Sequence, residues 1–248
     1  MKETILSGQK IKKDFGENRI LQGIDISIYA GDFTVVMGSS GSGKSTLLYA
    51  LSGMDAVSGG KVVYKGRDIT GLSERELAQL RAAEFGFVFQ KMHLVSSLSL
   101  YENIVIAGYI SNKGNEEEIR EKADGLVERM NLSGAEKRLP SEVSGGEAQR
   151  AAIARAVISS PQILFADEPT GALNKANTLE VLNLFSALNR EGQSVVLVTH
   201  DKEAALRGNR VLYLEDGMVA GELELTAYEG KDRKREEQLN RWLENKGW

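Results

Sequence analysis

The chain contains no cysteine and only three prolines among its 248 residues. Without cysteine there is no disulfide, no thiolate zinc site and no cysteine nucleophile, and such a composition suits a reducing cytosol. No apolar run approaches the ~18–20 residues of a membrane-spanning helix, and the N-terminus MKETILSGQK lacks the apolar centre of a signal peptide. We therefore expect a soluble chain that would reach a membrane only through a partner.

Net charge, glycine content and length further limit the classes of protein to which the chain can belong. The net charge of -4 and pI near 5.5 provide no whole-protein attraction to nucleic acid. The 26 glycines among 248 residues are about 10% of the chain, above the roughly 7% of an average protein, and they predict several tight loops. The length suits one large α/β domain or two modest ones.

Strand-like segments rich in β-branched and aromatic residues recur along the chain. The first are short, alternating and closely spaced, which predicts an antiparallel piece, whereas later runs such as ILFAD and SVVLVTH are continuously apolar and separated by helical stretches. That pattern predicts a buried, mostly parallel sheet with helices on its faces. The predicted parts are a core from 1–90 and 161–225, a helical subdomain at 91–160 and a helical tail at 226–248. The tail packs on its own domain or contacts a partner.

The stretch VVMGSSGSGKST fits the phosphate-loop pattern G-x-x-x-x-G-K-[ST] between an apolar strand and a helical run. Glycines let consecutive backbone N–H groups turn inward around a phosphate, and the helix start adds a positive dipole end. Lys44 can then reach the β- and γ-phosphates, and the Ser45 hydroxyl can ligate Mg²⁺. The predicted nucleotide contacts are Gly38, Ser39, Ser40, Gly41, Ser42, Gly43, Lys44, Ser45 and Thr46.

Two adjacent acids end the apolar run ILFADE. Asp167, at the tip of the predicted strand, can hold the Mg²⁺ shell opposite Ser45. In a strand the side chain of Glu168 points the other way, so we predict that it serves a different atom. That atom is a water behind the γ-phosphate, for which Glu168 is general base or orienter.

A second glycine-containing loop, PSEVSGGEAQRAAIARAV, follows later in the chain. Ser144 with Glu147 predicts a capping box before a helix. The segment is either only a well-capped helix or a second anion-binding helix start, with donors from Ser144, Gly145 and Gly146. One nucleotide scarcely needs two phosphate cradles from one chain, which favours a head-to-tail pair of chains.

Five motifs follow one another along the chain: the phosphate loop, Gln90 after FGFVF, VSGGE, FADEPT, and His200 after VVLVT. In this order they make the chain resemble the ATP-binding cassette (ABC) ATPases over residues 3–222. The resemblance implies an α/β, P-loop NTPase core with a mostly parallel sheet, an N-terminal antiparallel β piece and an inserted α-helical subdomain. It also implies ATP hydrolysis with Mg²⁺ and a homodimer of cassettes when ATP is bound.

The resemblance implies roles for individual residues. Phe15 would stack on the adenine, with a core or surface aromatic as the alternative. Gln90 would sense Mg²⁺ and the attacking water, or else be a solvated loop amide. The implied catalytic residues are Glu168, His200 and Gln90, the implied metal residues are Ser45, Gln90 and Asp167, and the implied cross-dimer contacts are Ser144, Gly145, Gly146 and Glu147. His200 would hold the γ-phosphate, or else be structural.

The segment from the phosphate loop through YENI resembles, more closely, the cassettes of macrolide exporters, lipoprotein-release systems and bacitracin-type peptide-resistance exporters. A separate permease at the cytoplasmic face of the plasma membrane is implied. Residues 91–105 would lie near its coupling surface, with His93 and Leu94 as contacts or as part of a plain surface loop.

Two other functions are alternatives to powering a transporter. One is a cassette that regulates a membrane protein without transport, and the other is a soluble repair or translation cassette. The latter class carries a coiled-coil insertion or second cassette that is absent from the sequence, and no nucleic acid partner is expected.

The sequence departs from the family pattern at three places. Val143 stands where leucine is usual, Glu147 where glutamine is frequent, and Asn174 where aspartate is normal. Asparagine and aspartate both cap helices well, and NKANTLEVL predicts a helix start. We therefore expect Asn174 to preserve the local structure while removing one charge at the dimer contact.

Overall fold

The structure is a computed structural model that describes residues 2–111 and 115–248. It divides the chain into two compact units, which are described separately. The first runs up to Leu77 and resumes at Leu188–Trp248, and the second covers Ala78–Ala187. None of the helices in the described ranges is long and apolar enough to cross a membrane.

The strands and helices follow one another along the chain. The strands are β1 (Thr4–Phe15), β2 (Asn18–Tyr29), β3 (Phe33–Met37), β4 (Gly59–Tyr64), β5 (Arg67–Asp68), β6 (Phe85–Phe89), β7 (Ile163–Asp167), β8 (Ser194–Val198), β9 (Arg210–Glu215) and β10 (Met218–Glu224). The helices are α1 (Lys44–Leu51), α2 (Glu74–Glu84), α3 (Leu100–Ser111), α4 (Glu116–Arg129), α5 (Gly145–Val157), α6 (Lys175–Arg190), α7 (Lys202–Ala205) and α8 (Arg233–Glu244), with a 3₁₀ turn at Pro140–Glu142.

The first unit contains the antiparallel sheet that the early alternating strands predict, in the order β2-β1-β4-β5. Its other strands run in the order β10-β9-β3-β8, with β3 parallel to both β8 and β9. Every residue of β3 and of β8 is buried, as is typical of central parallel strands. This arrangement confirms the predicted fold class and places the carboxyl ends of β3 and β8 side by side.

The C-terminal helix α8 packs on the first unit. Leu239 and Leu243 are 1% and 0% exposed, and the Trp242 ring meets the Tyr213 ring edge-on at a centroid distance of 6.3 Å. Of the two alternatives for the tail, packing on its own domain is therefore observed. The helix buries its apolar side together with Arg235, while most of its other charged residues are exposed, which fits its strongly charged sequence.

The second unit combines the parallel pair β6 and β7 with a helical region. As predicted, the apolar side of α4 is buried; it comprises Ile119, Ala123, Leu126, Val127 and Met130. Helix α4 begins with a capping box at Asn115, and α5 begins with the predicted one at Ser144. Reciprocal side-chain bonds of this kind satisfy backbone N–H groups that a helix start leaves unpaired.

Candidate nucleotide-binding site

The phosphate loop joins β3 to α1 in the first unit. Gly38, Gly41 and Gly43 have φ angles of 154°, 81° and 100°, which residues other than glycine rarely adopt. Ser39, Ser40 and Gly41 are exposed, while Ser45 and Thr46 at the start of α1 are half-buried. Exposed backbone donors at a helix start have the chemistry of an anion site.

Lys44 supplies a positive charge inside this loop. The residue is 8% exposed, and its Nζ donates to the carbonyl oxygens of Gly38 at 2.9 Å and Ser39 at 2.8 Å. These bonds hold the ammonium over the glycine turn, where the sequence predicts contacts to phosphate. The loop therefore combines a cation with glycine-rich backbone, a donor set that suits a phosphate group.

The turn of the β9–β10 hairpin is hydrogen-bonded to the phosphate loop. Its Asp216-Gly217 turn has two positive φ angles, 45° and 70°, as a type I′ turn requires. The Gly217 N–H donates to the Ser42 carbonyl at 3.2 Å, and the Gly217 carbonyl accepts from the Gln22 N–H at 2.9 Å. Sequence reasoning missed this role of Gly217, although the Asp-Gly pair between two apolar runs signals the hairpin itself.

His200 follows β8, the strand that pairs with β3, and the phosphate loop follows β3. Val36 of β3 pairs with Val198 of β8, and the Thr199 N–H donates to the Val36 carbonyl at 3.1 Å. Since both strands then end, His200 and Gly38 leave the sheet at the same edge, and His200 is exposed. His200 therefore emerges from the sheet next to the start of the phosphate loop.

Phe15 ends β1 and is 52% exposed, so it is not a core aromatic. The Lys13 ammonium lies 4.8 Å from the centroid of its ring and also pairs with Asp55 at 2.5 Å. A cation held against the ring orients it. Lys13 is a positioning neighbour that the sequence reasoning missed.

Gln90, Asp167 and Glu168 are brought together in the second unit. Phe89 of β6 pairs with Asp167 of β7 in a parallel register, so Gln90 and Glu168 leave adjacent strands at the same edge. Gln90 is exposed and both acids are half-buried. The Gly171 position lies so close to Gln90 that an added Cβ would be 2.7 Å from its Nε2.

The backbone of Glu168 differs from the predicted one. Glu168 follows the end of β7 with a φ of 45°, and its carbonyl accepts from the Gly171 N–H at 3.1 Å. The side chain is therefore directed by a left-handed turn, and the prediction from strand alternation was wrong on this point. A left-handed residue other than glycine is strained and persists where the surroundings hold it, often at functional sites.

The start of α5 has the predicted reciprocal bonds. The Ser144 hydroxyl accepts from the Glu147 N–H at 3.3 Å, and the Glu147 carboxylate accepts from the Ser144 hydroxyl at 2.7 Å and N–H at 2.8 Å. These bonds lower the pKa of Glu147. The stabilisation they provide is present above the ordinary glutamate pKa and is lost as the pH falls through the lowered one.

Close packing near this start explains Gly146. An added Cβ at Gly146 would lie 2.5 Å from the side chain of Asn177 on α6, so a larger residue would push the two helix starts apart. Asn174 caps α6, because its Oδ1 accepts from the Asn177 N–H at 3.0 Å. The predicted capping by Asn174 is thus confirmed.

The segment after Gln90 is held by residues that the sequence reasoning missed. Asn103 is fully buried; its Oδ1 accepts from the Val95 N–H at 2.7 Å, and its Nδ2 donates to the carbonyl oxygens of Leu98 and Ser99. A buried asparagine that satisfies several backbone groups fixes a loop. Its sequence signal is weak, since a single polar residue in YENIVIAG looks like part of an exposed helix side.

Comparison with known proteins identifies the family of the chain. The family model of the ABC transporters matches residues 21–171. The chain is 43% identical over 219 residues to the lipoprotein-releasing system ATP-binding protein LolD of Aquifex aeolicus, covering 88% of this chain and 97% of that protein.

Two further relatives extend the comparison. The macrolide export ATP-binding/permease protein MacB of Pasteurella multocida is 39% identical over 230 residues, covering 91% of this chain but 35% of that protein. The solved dimer of the ATP-binding cassette MJ0796 with ADP and Pi has a TM-score of 0.83 at 34% identity, covering 90% of this chain and all of that one. The chain therefore belongs to the ABC transporter family, as an ATP-binding cassette of the LolD and MacB type that hydrolyses ATP.

Proposed function

We propose that the chain powers a separate membrane permease that exports or extracts an amphipathic peptide, a lipid or lipoprotein, or a drug. The observation that carries the proposal is the 43% identity over 219 residues to a lipoprotein-releasing system ATP-binding protein; the chain spans 35% of the length of an ATP-binding/permease relative. The chain would act at the cytoplasmic face of the plasma membrane, bound there through the permease. Lipoprotein release and macrolide export in the names of the relatives support the substrate classes.

Binding of ATP begins in the first unit. The backbone donors of residues 38–43 surround the phosphates, and Lys44 exchanges its two carbonyl partners for the β- and γ-phosphates. Phe15, oriented by Lys13, stacks on the adenine. His200 holds the γ-phosphate at the carboxyl end of β8.

The residues that would hold Mg²⁺ are Ser45 of the first unit and Gln90 and Asp167 of the second. Within residues 2–111 and 115–248 there is no cluster of three or more histidine, aspartate or glutamate side chains that could hold a metal alone. Mg²⁺ binds through one or two carboxylates plus the phosphates of a substrate, and Asp167 would supply one such carboxylate. When bound there, the ion would neutralise charge that develops on the transferred phosphoryl group.

Hydrolysis depends on Glu168. Its carboxylate orients a water and accepts the proton as the water oxygen bonds to the γ-phosphorus, while the bond from phosphorus to the ADP oxygen breaks. The left-handed turn at Glu168 aims this carboxylate independently of Asp167. The two neighbouring acids therefore serve different atoms, a metal and a water.

The chain forms a head-to-tail dimer when ATP is bound. In it, Ser144, Gly145, Gly146 and Glu147 of one cassette contact the nucleotide of its partner. The helix start of α5 offers backbone N–H groups to an anion, and Ser144 and Gly145 are exposed. The MJ0796 cassette, which was solved as a dimer with ADP and Pi, supports this assembly.

The proposal is tested by reconstituting the chain in vesicles with a candidate permease from the same genome. We expect the permease to stimulate ATP hydrolysis, and Val95→Asp to abolish the stimulation while sparing basal hydrolysis, because Val95 is 47% exposed in the proposed coupling segment 91–105. Met54→Asp, at a residue 42% exposed in the first unit, is the matched control and should keep both rates. Equal stimulation of all three chains would contradict the proposed coupling segment, and no stimulation of the parent chain would contradict the function.

The same vesicles separate transport from regulation. ATP-dependent extraction of a labelled lipopeptide or macrolide would support transport. An ATP-dependent change in the permease without movement of any such molecule would favour the alternative, in which the cassette controls a membrane protein mechanically.

Asn174→Asp tests the departure from the family pattern. Both residues cap α6, so we expect the midpoint of thermal unfolding to change little. The added charge lies at an exposed site, where one ionic contact contributes ~1 kcal/mol or less, so the ATPase rate should stay within about fivefold of the parent rate. Steady-state phosphate release measures it. A rise of orders of magnitude would show that the missing carboxylate limits turnover.

A further inference from the structure

Helix α5 holds the main chain immediately before Gln90. Gln149 on this helix is 0% exposed, and its Nε2 donates to the carbonyl oxygen of Phe89 at 3.2 Å. Its Oε1 is buried without a hydrogen-bond partner among the described residues. A half-satisfied buried amide is unfavourable compared with an apolar side chain of the same size, so packing alone does not account for Gln149.

The same helix also holds the main chain immediately after Gln90. The Arg155 guanidinium donates to the carbonyl oxygens of Met92 at 2.7 Å and His93 at 2.5 Å. Burial lowers the pKa of Arg155, but an arginine remains protonated at neutral pH. Charged donors make stronger hydrogen bonds than neutral ones, so Arg155 is a firm anchor for this segment.

Residues 89–93 therefore form a short loop with both ends fixed to one helix. His93 has a left-handed backbone with a φ of 49°, and its ring meets the Phe89 ring edge-on at 5.3 Å. The ring contact closes the loop on itself. At its tip Gln90 is exposed, so the main chain of Gln90 is restrained while its side chain is available for a ligand.

We propose that Gln149 and Arg155 are positioning residues for Gln90. The proposal rests on the proposed function in one respect, namely that Gln90 acts on Mg²⁺ and the attacking water. Helix α5 begins at the segment proposed to meet the nucleotide of the partner cassette. A displacement of its start therefore shifts both ends of the Gln90 loop, which links engagement of the dimer to the placement of Gln90.

Kinetics of Arg155→Met and Gln149→Met, each alone and combined with Gln90→Ala, test the proposal. With Gln90 present, we expect Arg155→Met to lower kcat about tenfold and to raise the Mg²⁺ concentration for half-maximal rate, because a misplaced group loses rate steeply. The KM for ATP should change less than about twofold, since the phosphate contacts lie elsewhere. Gln149→Met should act in the same direction, and Arg155→Lys should recover part of the rate.

The combined variants separate positioning from a general structural effect. If Arg155 acts through Gln90, Arg155→Met should lower kcat less than about twofold once Gln90 is alanine, because coupled residues are not additive. Arg120→Met is the matched control: it removes an arginine that pairs with Glu116 on α4 and should leave kcat unchanged. Gln149→Met preserves side-chain volume and keeps the test available if Arg155→Met unfolds.

The outcomes are distinguishable. If Gln90→Ala lowers kcat but Arg155→Met is equally harmful with and without Gln90, the positioning role is overturned while the proposed function stands. If Gln90→Ala leaves kcat unchanged, the assigned role of Gln90 and the positioning role both fail. Amide hydrogen exchange adds an independent readout: exchange in residues 90–93 should quicken about tenfold in Arg155→Met, and unchanged exchange would overturn the proposed restraint.

Discussion

Replacing Glu168 by glutamine is expected to lower the kcat of ATP hydrolysis by about 10²–10⁴-fold, the usual contribution of a general base. ATP should still bind, because the phosphate loop and Phe15 are unchanged. Glutamine has nearly the same size and the same backbone preference, so the left-handed turn at position 168 should persist. The bound ATP would then hold the two cassettes together, and light scattering with ATP and Mg²⁺ should report a dimer.

Asp167→Asn provides the contrast that separates the two acids. We expect it to raise the Mg²⁺ requirement for both binding and turnover, whereas Glu168→Gln should leave the Mg²⁺ dependence of ATP binding unchanged. Normal hydrolysis by the Glu168→Gln chain would refute the assignment of the base. Identical Mg²⁺ profiles for the two variants would show that the neighbouring acids share one role.

The second large effect is expected at Gly38. A Cβ there would lie 2.2 Å from the carbonyl oxygen of Leu214 and 2.6 Å from the Ser42 Oγ. Leu214 belongs to β9, which pairs with β3 on one side and β10 on the other, so its carbonyl cannot easily retreat. Gly38→Ala should lower the free energy of unfolding by about 3 kcal/mol or more, the upper range for an overpacked site.

Gly41→Ala is the matched control for this prediction. Gly41 has a φ of 81° with nothing within 4 Å of its added Cβ, so only backbone strain of ~1–2 kcal/mol is expected. Thermal unfolding with and without ATP measures both effects. We expect ATP to raise the unfolding midpoint of the Gly41→Ala chain and not that of the Gly38→Ala chain. Equal destabilisation of the two variants would show that the contact with β9 is unimportant.

Local sequence patterns were sufficient for most elements of the fold. The apolar runs of β3, β7 and β8 predict buried parallel strands because both faces of such strands are covered. The capping box at Ser144 lies where Ser-x-x-Glu predicts it, with the Ser144 hydroxyl 2.7 Å from the Glu147 carboxylate. These features depend on neighbours within a few residues, so the sequence alone contains the information.

The chemistry of the site was predictable for a related reason. A phosphate loop, a strand-end acid pair and a glycine-rich helix start each owe their chemistry to residue types at short spacing. Their order along the chain also identified the family correctly. The sequence by itself therefore determined the fold class and the reaction, and it named the residues proposed to perform it.

Only the tertiary structure decided how these residues are held. The left-handed turn at Glu168, the contact of Gly217 with Ser42 and the bonds from Gln149 and Arg155 to the Gln90 loop were not predicted. Most of these contacts join segments distant in the chain, and even the local turn is imposed by its surroundings. Their partners are set by sheet register and helix packing, because a hydrogen bond between such segments requires both to be in place.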